Sequence, residues 1–212
     1  MSRAGSVGKV KSDDEIKNFG VAWLWDFENM WLENTDHPSL DQLRENVDKA
    51  LKTLNPLYFL HGKPIGYGKV KKSNKAAVKY LRKKDFTFYN EKTRTVHCST
   101  CGVMMRQSSI YPNDDPHERK TDIADISLVK EAIFHAMDSI TNEKVPRNIL
   151  LVSNDKDFKC TLEALKLRGF TVMAAIEAKT PNHMYADICG NGTWCWKEME
   201  KGGKHISKSI MK

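Results

Sequence analysis

Two short apolar runs constrain the fold of this chain more than any other feature. The first is Val21-Ala22-Trp23-Leu24-Trp25, which ends at Asp26, and the second extends from Asn148 to Ser153. Continuous apolar runs of this length are typical of strands that are buried on both faces, as in parallel sheets. We therefore predict that both runs are central strands.

Helical patterns separate the predicted strands. A first helix, capped by Ser39, has apolar residues spaced by three or four at Leu40, Leu43, Val47, Leu51 and Leu54. A second, capped by Ser73, turns Ala76, Ala77, Tyr80 and Leu81 inward. A third covers Thr121 to Met137, with Ile123, Ile126, Val129, Ile133 and Met137 on one side. A fourth covers Phe158 to Leu167 and stops at Gly169.

Three further strands are predicted at Leu57–Leu60, Phe86–Tyr89 and Phe170–Ile176. Strands that alternate with helices form a parallel sheet through right-handed crossovers. The pattern predicts an α/β fold with a central, mostly parallel sheet between two helical layers. We expect a flexible tail at residues 1–17, a domain at 18–178 with an insertion at 91–119, and a C-terminal extension with a basic tail at 179–212.

Composition narrows the classes of partner. The chain has 212 residues and a formal net charge of +7, which favours a polyanionic partner. No segment approaches the roughly 18 apolar residues of a membrane span, so no membrane partner is expected. The N-terminus lacks an apolar signal region, and the odd number of cysteines, five, indicates a reducing compartment. A cytoplasmic or nuclear location is favoured over an organelle, and the oligomeric state, monomer or homodimer, stays open.

Acidic residues follow the two central strands. Asp26 ends the first, and Asp155 and Asp157 follow the second, while Asp122 and Asp125 lie three apart at a helix start. If the two strands are neighbours, these carboxylates converge at the carboxyl edge of the sheet, where open parallel sheets bind ligands. Hard oxygen ligands of this kind suit Mg²⁺ or Mn²⁺, which can activate water for phosphodiester hydrolysis. The alternative is that Asp155 only caps a helix and Asp26 only ends a strand.

The same residues resemble the motifs of a known family. Trp25-Asp26-Phe27-Glu28-Asn29 resembles the opening WDxEN motif of NYN domains, and Leu151 to Phe158 resembles their LVSxDxDF motif. Asp125-Ile126-Ser127-Leu128 is similar to the helix between these motifs. The resemblance implies a PIN-like fold and divalent-metal cleavage of RNA. Carried over residue by residue, it implies a site formed by Asp26, Asn29, Asp125, Asp155 and Asp157; Asp122 is added as a metal ligand on geometry alone.

A basic stretch from Lys63 to Lys84 contains nine Lys or Arg residues and no acid. We expect part of it to bind the RNA backbone, since Lys–phosphate contacts release counterions; the alternative is a solvated helix face. The residues assigned to RNA are Lys69, Lys71, Lys72, Lys75, Lys79, Arg82 and Lys83. Tyr67 could either stack a base or fill a core or turn position.

The insertion contains the pair Cys98 and Cys101, which is half of a zinc site. No other cysteine or histidine completes a known spacing, so free thiols are favoured over Zn²⁺. The function predicted from the whole sequence is a metal-dependent endoribonuclease. The alternatives are an inactive RNA-binding scaffold of the same fold and a related DNA or flap nuclease.

Overall fold

The protein folds around a seven-stranded sheet. A computed structural model describes residues 10–90, 123–177 and 183–206. The strands in these residues are β1 (Gly20–Asp26), β2 (Phe59–Leu60), β3 (Ile65–Gly68), β4 (Thr87–Asn90), β5 (Asn148–Val152), β6 (Thr171–Ile176) and β7 (Thr193–Cys195). Their order in the sheet is β4-β3-β1-β5-β6-β7, β2 also pairs with β1, and each of these pairings is parallel.

Helices cover both faces of this sheet, which confirms the predicted three-layer α/β/α architecture. They are α1 (Asp13–Phe19), α2 (His37–Leu54), α3 (Lys75–Arg82), α4 (Ile123–Thr141), α5 (Lys159–Leu167), α6 (His183–Cys189) and α7 (Trp196–Met199). One hydrophobic cluster joins the sheet to α2, α3 and α7, and a second joins its other face to α4, α5 and α6. Because side chains alternate along β1, Trp23 and Trp25 enter the first cluster and Leu24 enters the second.

Tryptophans fix the loop that follows β1. The Trp25 ring stacks on Trp31 with centroids 5.6 Å apart, and Trp196 contacts Trp25 at 5.4 Å. The Trp25 indole N–H donates to the Met30 carbonyl, and the Trp196 indole N–H donates to the Trp31 carbonyl. Aromatic packing with satisfied indole groups holds the loop rigidly against the core.

Two predicted helix caps are displaced along the sequence. Asp36, rather than Ser39, caps α2: its carboxylate accepts the Ser39 N–H at 2.7 Å. Asn74, rather than Ser73, is the N-cap residue of α3, and Ala76 is exposed on that helix instead of packing inward. The buried side of α3 consists of Ala77, Val78 and Leu81.

The predicted apolar side of α4 largely faces away from the sheet. Ile126, Ile133 and Met137 are exposed, and α4 instead packs on the sheet through small residues and one leucine: Ala124, Leu128, Ala132 and Ala136. Small side chains allow the helix backbone to approach the sheet closely. The spacing of large apolar residues was therefore a misleading guide to the buried face.

The fold also has elements that the sequence did not predict, among them helices α6 and α7. Strand β3 lies between β1 and β4, in a segment for which no strand was predicted. Strand β7 extends the sheet beyond residue 178, and Trp194 and Trp196 join the first cluster. Helix α1 occupies residues 13–17 of the expected flexible tail, with a capping box between Ser12 and Glu15.

Candidate active site

Asp26 ends β1 at the carboxyl edge of the sheet and is completely buried. Its two carboxylate oxygens accept hydrogen bonds from the Asn29 backbone N–H at 3.2 Å and the Asn29 side-chain amide at 2.9 Å. Burying a carboxylate is unfavourable unless such bonds or a cation compensate for lost hydration. Asn29, which was assigned to the site by resemblance, therefore positions Asp26.

Ser153 connects Asp26 to the segment that follows β5. Its hydroxyl donates to Asp26 Oδ2 at 2.8 Å and accepts the Asp155 backbone N–H at 3.1 Å. Since β1 and β5 are adjacent and in register up to Trp25 and Val152, the next residues, Asp26 and Ser153, meet at the strand ends. The predicted convergence of these two strand ends is confirmed.

Asp155 begins a single 3₁₀ turn, Lys156–Phe158, that leads into α5. One of its carboxylate oxygens accepts the Asp157 backbone N–H at 2.9 Å. Asp155 therefore does cap a helical turn, as the alternative interpretation proposed. The Asp157 side chain is exposed at the sheet edge.

Tyr185 on α6 is a site residue that sequence reasoning missed. It is fully buried, and its hydroxyl donates to the backbone carbonyl of Asp155. Burial raises the pKa of this hydroxyl well above its usual range, and the negative charges of Asp155, Asp26 and Asp157 raise it further. All three carboxylates thus lie within electrostatic range of one tyrosine, which stays protonated as a donor.

The remaining acidic candidates lie on or before α4. Asp125 is in the first turn of that helix, which packs against β1 and β3, and its Oδ1 atom is buried. Asp122 lies outside the described residues. Across residues 10–90, 123–177 and 183–206, no three His, Cys, Asp or Glu side chains are grouped as ligands for a metal ion. Metal binding by Asp26, Asp125, Asp155 and Asp157 stays a prediction.

The basic stretch divides between the two edges of the sheet. The Glu28 carboxylate accepts the Lys69 backbone N–H at 3.0 Å and lies 4.0 Å from the Lys71 ammonium. These contacts hold the loop after β3 next to the segment that contains Asp26 and Glu28. Gly68 permits this approach, because a Cβ atom there would lie 2.8 Å from the Glu28 backbone nitrogen. Lys72 and Lys75 follow at the same edge.

Other basic candidates lie farther along α3. The helix runs away from the carboxyl edge, so Lys79, Arg82 and Lys83 are placed progressively nearer the opposite edge, about 10 Å away by the end of the helix. Arg82 also donates to the Phe88 carbonyl at 2.6 Å. Tyr67 is buried and belongs to the core, which decides between its two predicted roles. Cys98, Cys101 and the insertion at 91–119 lie outside the described residues.

The comparison that decides the family covers most of the chain. The model of the NYN domain family matches residues 20–188, which include Asp26, Asn29, Ser153, Asp155 and Tyr185. The chain belongs to the NYN domain family. Members of this family are generally nucleases with a PIN-like fold, and they generally use divalent metals. The family therefore indicates a nucleic acid substrate.

Two other comparisons add little. Among solved structures, the fold is similar to a protein of unknown function, VPA0982, from Vibrio parahaemolyticus RIMD 2210633, with 15% identity, a TM-score of 0.48, and coverage of 87% of this chain and 95% of that chain. No curated protein matches significantly. Within the described parts of the chain, no helix has the length and apolar character needed to cross a membrane.

Proposed function

We propose that this NYN domain is a metal-dependent endoribonuclease that hydrolyses RNA phosphodiester bonds at the carboxyl edge of its sheet. The observation that carries the proposal is the buried Asp26 carboxylate, which shares the Ser153 hydroxyl with the Asp155 segment. A structural scaffold gains little from burying a carboxylate at a strand end, whereas a nuclease needs one held in a fixed orientation.

The donor chemistry of this edge fits a hard divalent cation. The four candidate ligands Asp26, Asp155, Asp157 and Asp125 offer only carboxylate oxygens. Oxygen donors of this kind suit Mg²⁺ or Mn²⁺ rather than Zn²⁺. When bound, such an ion would activate water and stabilise the charge that develops on the phosphate.

The protein's own residues orient the site. Asn29 and Ser153 fix both oxygens of Asp26, and Tyr185 holds the Asp155 backbone, so neither carboxylate has to reorganise when substrate binds. Exposed Asp157 is free to move toward a water molecule or a second ion. Lys69, Lys71, Lys72 and Lys75 lie at the same edge, where their ammonium groups can neutralise RNA phosphates on either side of the reacting bond.

The free cysteines support a proposal for the cellular compartment of the protein. Cys160, Cys189 and Cys195 are free thiols in the described part of the chain. Free thiols fit a reducing compartment, and we place the protein in the cytoplasm or nucleus. The proposal holds for a monomer and for a homodimer.

The test is a cleavage assay with matched acidic variants. Purified protein is incubated with labelled single-stranded RNA or DNA in Mg²⁺, Mn²⁺ or EDTA. We expect metal-dependent cleavage of RNA, which Asp26→Asn reduces by at least about 100-fold. Asp138→Asn, the same change at an exposed position near the far end of α4, is the control and should cut normally.

Four results would contradict the proposal. Cleavage in EDTA would show that no metal ion is required, and full activity of Asp26→Asn would show that Asp26 is not in the active site. Cleavage of DNA alone would identify a DNA nuclease. RNA binding without cleavage in either metal would identify an inactive scaffold.

A further inference from the structure

A row of paired residues leads from Asp26 to the edge of the sheet. Asp26 on β1 pairs with Tyr67 on β3, and Tyr67 pairs with Tyr89 on β4. Laterally paired residues of parallel strands point to the same face, and neighbouring strands lie about 4.8 Å apart. Tyr89 therefore lies on the same face as Asp26, with its backbone about 10 Å away.

The two tyrosines form a stack with one buried and one exposed ring. Their centroids are 4.7 Å apart and their planes differ by 18°. Tyr67 is 5% exposed, and its hydroxyl donates to Glu131 on α4 at 2.9 Å, so the inner ring is fixed. The outer ring, Tyr89, is 46% exposed.

Among the described residues, no strand lies beyond Tyr89 on the outer side of the sheet. Within the described sheet, β4 is the terminal strand on this side. The Tyr89 ring has Tyr67 against one of its faces, and the stack can be extended only from the other. A planar aromatic ligand is the chemistry that fits such a position, since stacked rings gain dispersion energy without needing a particular hydrogen-bond pattern.

The loop that carries Lys69 and Lys71 is joined to the residue that follows Tyr89. The Asn90 side chain accepts the Val70 backbone N–H at 2.8 Å, which ties the loop carrying Lys69 and Lys71 to the end of β4. An exposed aromatic ring at the same sheet edge as a lysine-bearing loop is a combination with which proteins bind single-stranded nucleic acid, where the ring stacks a base and the cations bind phosphates. A double helix offers no unstacked base to such a ring.

We propose that Tyr89, supported by Tyr67, stacks an unpaired base of the RNA substrate within about three nucleotides of the phosphate that reacts at Asp26. The inference rests on the proposed ribonuclease function and deepens it. It makes single-stranded RNA the substrate class and Tyr89 a binding residue. Because stacking does not distinguish the four bases by hydrogen bonds, the preference for sequence at this subsite is weak.

The test measures base stacking separately from cleavage. A short unstructured RNA with the fluorescent base 2-aminopurine at successive positions is mixed with the Asp26→Asn protein in EDTA, so that no strand is cut. We expect fluorescence quenching at one or two adjacent positions. Tyr89→Leu, which keeps apolar bulk but removes the ring, should abolish that quenching and weaken binding by about tenfold. Tyr89→Phe and Tyr89→Trp should retain both.

Two controls separate stacking from folding and from general hydrophobicity. Phe134→Leu changes an aromatic residue of similar exposure, 52%, on the outer side of α4, and should leave quenching and affinity unchanged. The thermal unfolding temperature of Tyr89→Leu should lie below that of Tyr89→Phe, since only Tyr89→Leu loses the stack on Tyr67, so binding is compared at a temperature at which both variants are folded. In the cleaving protein, Tyr89→Leu should raise KM for single-stranded RNA while kcat stays within about twofold.

The outcomes distinguish this inference from the proposed function. If the protein binds single-stranded RNA but Tyr89→Leu changes neither quenching nor affinity, the stacking site is wrong and the nuclease proposal is unaffected. If Tyr89→Leu has its expected effect but the unmodified protein cuts nothing, the nuclease proposal is wrong and the stacking site stands. Absence of any binding to single-stranded RNA overturns both.

Discussion

The Ser153 hydroxyl lies between Asp26 and Asp155, donating to the carboxylate of the first at 2.8 Å and accepting the backbone N–H of the second at 3.1 Å. One buried oxygen thereby couples the ends of β1 and β5. The rotamer of Asp26 and the start of the turn at Asp155 cannot change independently, and the site is rigid at the point where charge must be oriented.

Ser153→Ala should therefore destabilise the fold and reduce cleavage together. Removing the hydroxyl leaves two buried polar groups each without one partner, which costs about 1–3 kcal/mol. Urea unfolding measures this change. Ser139→Ala is the matched control, because the Ser139 hydroxyl is also buried but has no hydrogen-bond partner in the described structure. That substitution should be neutral or stabilising, and equal losses in the two variants would contradict the role of Ser153.

Asp125 gives a test of the metal site on a different element. If it binds the same divalent ion as Asp26, Mn²⁺ should raise the unfolding temperature of the unmodified protein, because only the folded state has the site. Asp125→Asn should reduce that rise. Asp138→Asn, at an exposed position of the same helix, should leave the rise unchanged. Differential scanning fluorimetry over a Mn²⁺ titration is sufficient, and an identical Mn²⁺ response in all three proteins would exclude Asp125 as a ligand.

The position of the lysines predicts unequal contributions to RNA binding. Lys72→Glu, at the carboxyl edge, should weaken binding to single-stranded RNA and lower the slope of log K against log salt by about 0.7 for each phosphate that the variant no longer neutralises. Lys83→Glu makes the same charge change at the C-terminal end of α3 and should have a smaller effect. Fluorescence anisotropy at several salt concentrations measures both quantities. Equal effects would mean that net charge, rather than position, governs binding.

Much of the site edge could be predicted from the sequence because the signals are local. The continuous apolar runs that became β1 and β5 need no partner to be recognised, and each ends directly in acidic residues. The general rules for parallel sheets made it reasonable to expect that the two strands could be neighbours, and the structure shows that they are. Convergence of Asp26 with the segment of Asp155 was therefore predicted on the condition that β1 and β5 are neighbours, which the sequence alone did not establish.

The parts that were missed depend on contacts between distant segments. Strand β3 was missed, and its Gly66 is explained only by a distant residue: a Cβ there would lie 2.7 Å from a carbon of the Phe88 ring on β4. Tyr185 reaches Asp155 only because α6 packs beneath the sheet edge. The apolar spacing of α4 gave no indication that alanines would form its buried side.

Glu200 provides a prediction about pH that is independent of catalysis. Its carboxylate is buried at the end of α7 and accepts the Glu33 backbone N–H at 3.3 Å, while burial raises its pKa from 4.5 to about 7. An acid whose pKa is raised by folding contributes stability at low pH, and this contribution disappears as the pH rises through the folded pKa.

The free energy of unfolding should therefore fall between about pH 4.5 and pH 7 because of Glu200. Glu200→Gln keeps an oxygen that can accept the Glu33 N–H but cannot ionise, so it should flatten this fall and make the variant more stable than the parent at pH 8. Unfolding temperatures measured from pH 5 to 8.5 test this expectation. Glu163→Gln removes a carboxylate of an exposed ion pair with Lys159 and should not change the shape of the profile. If the parent and Glu200→Gln profiles run parallel over the whole range, Glu200 does not titrate differently in the folded protein, and its burial has no consequence for stability.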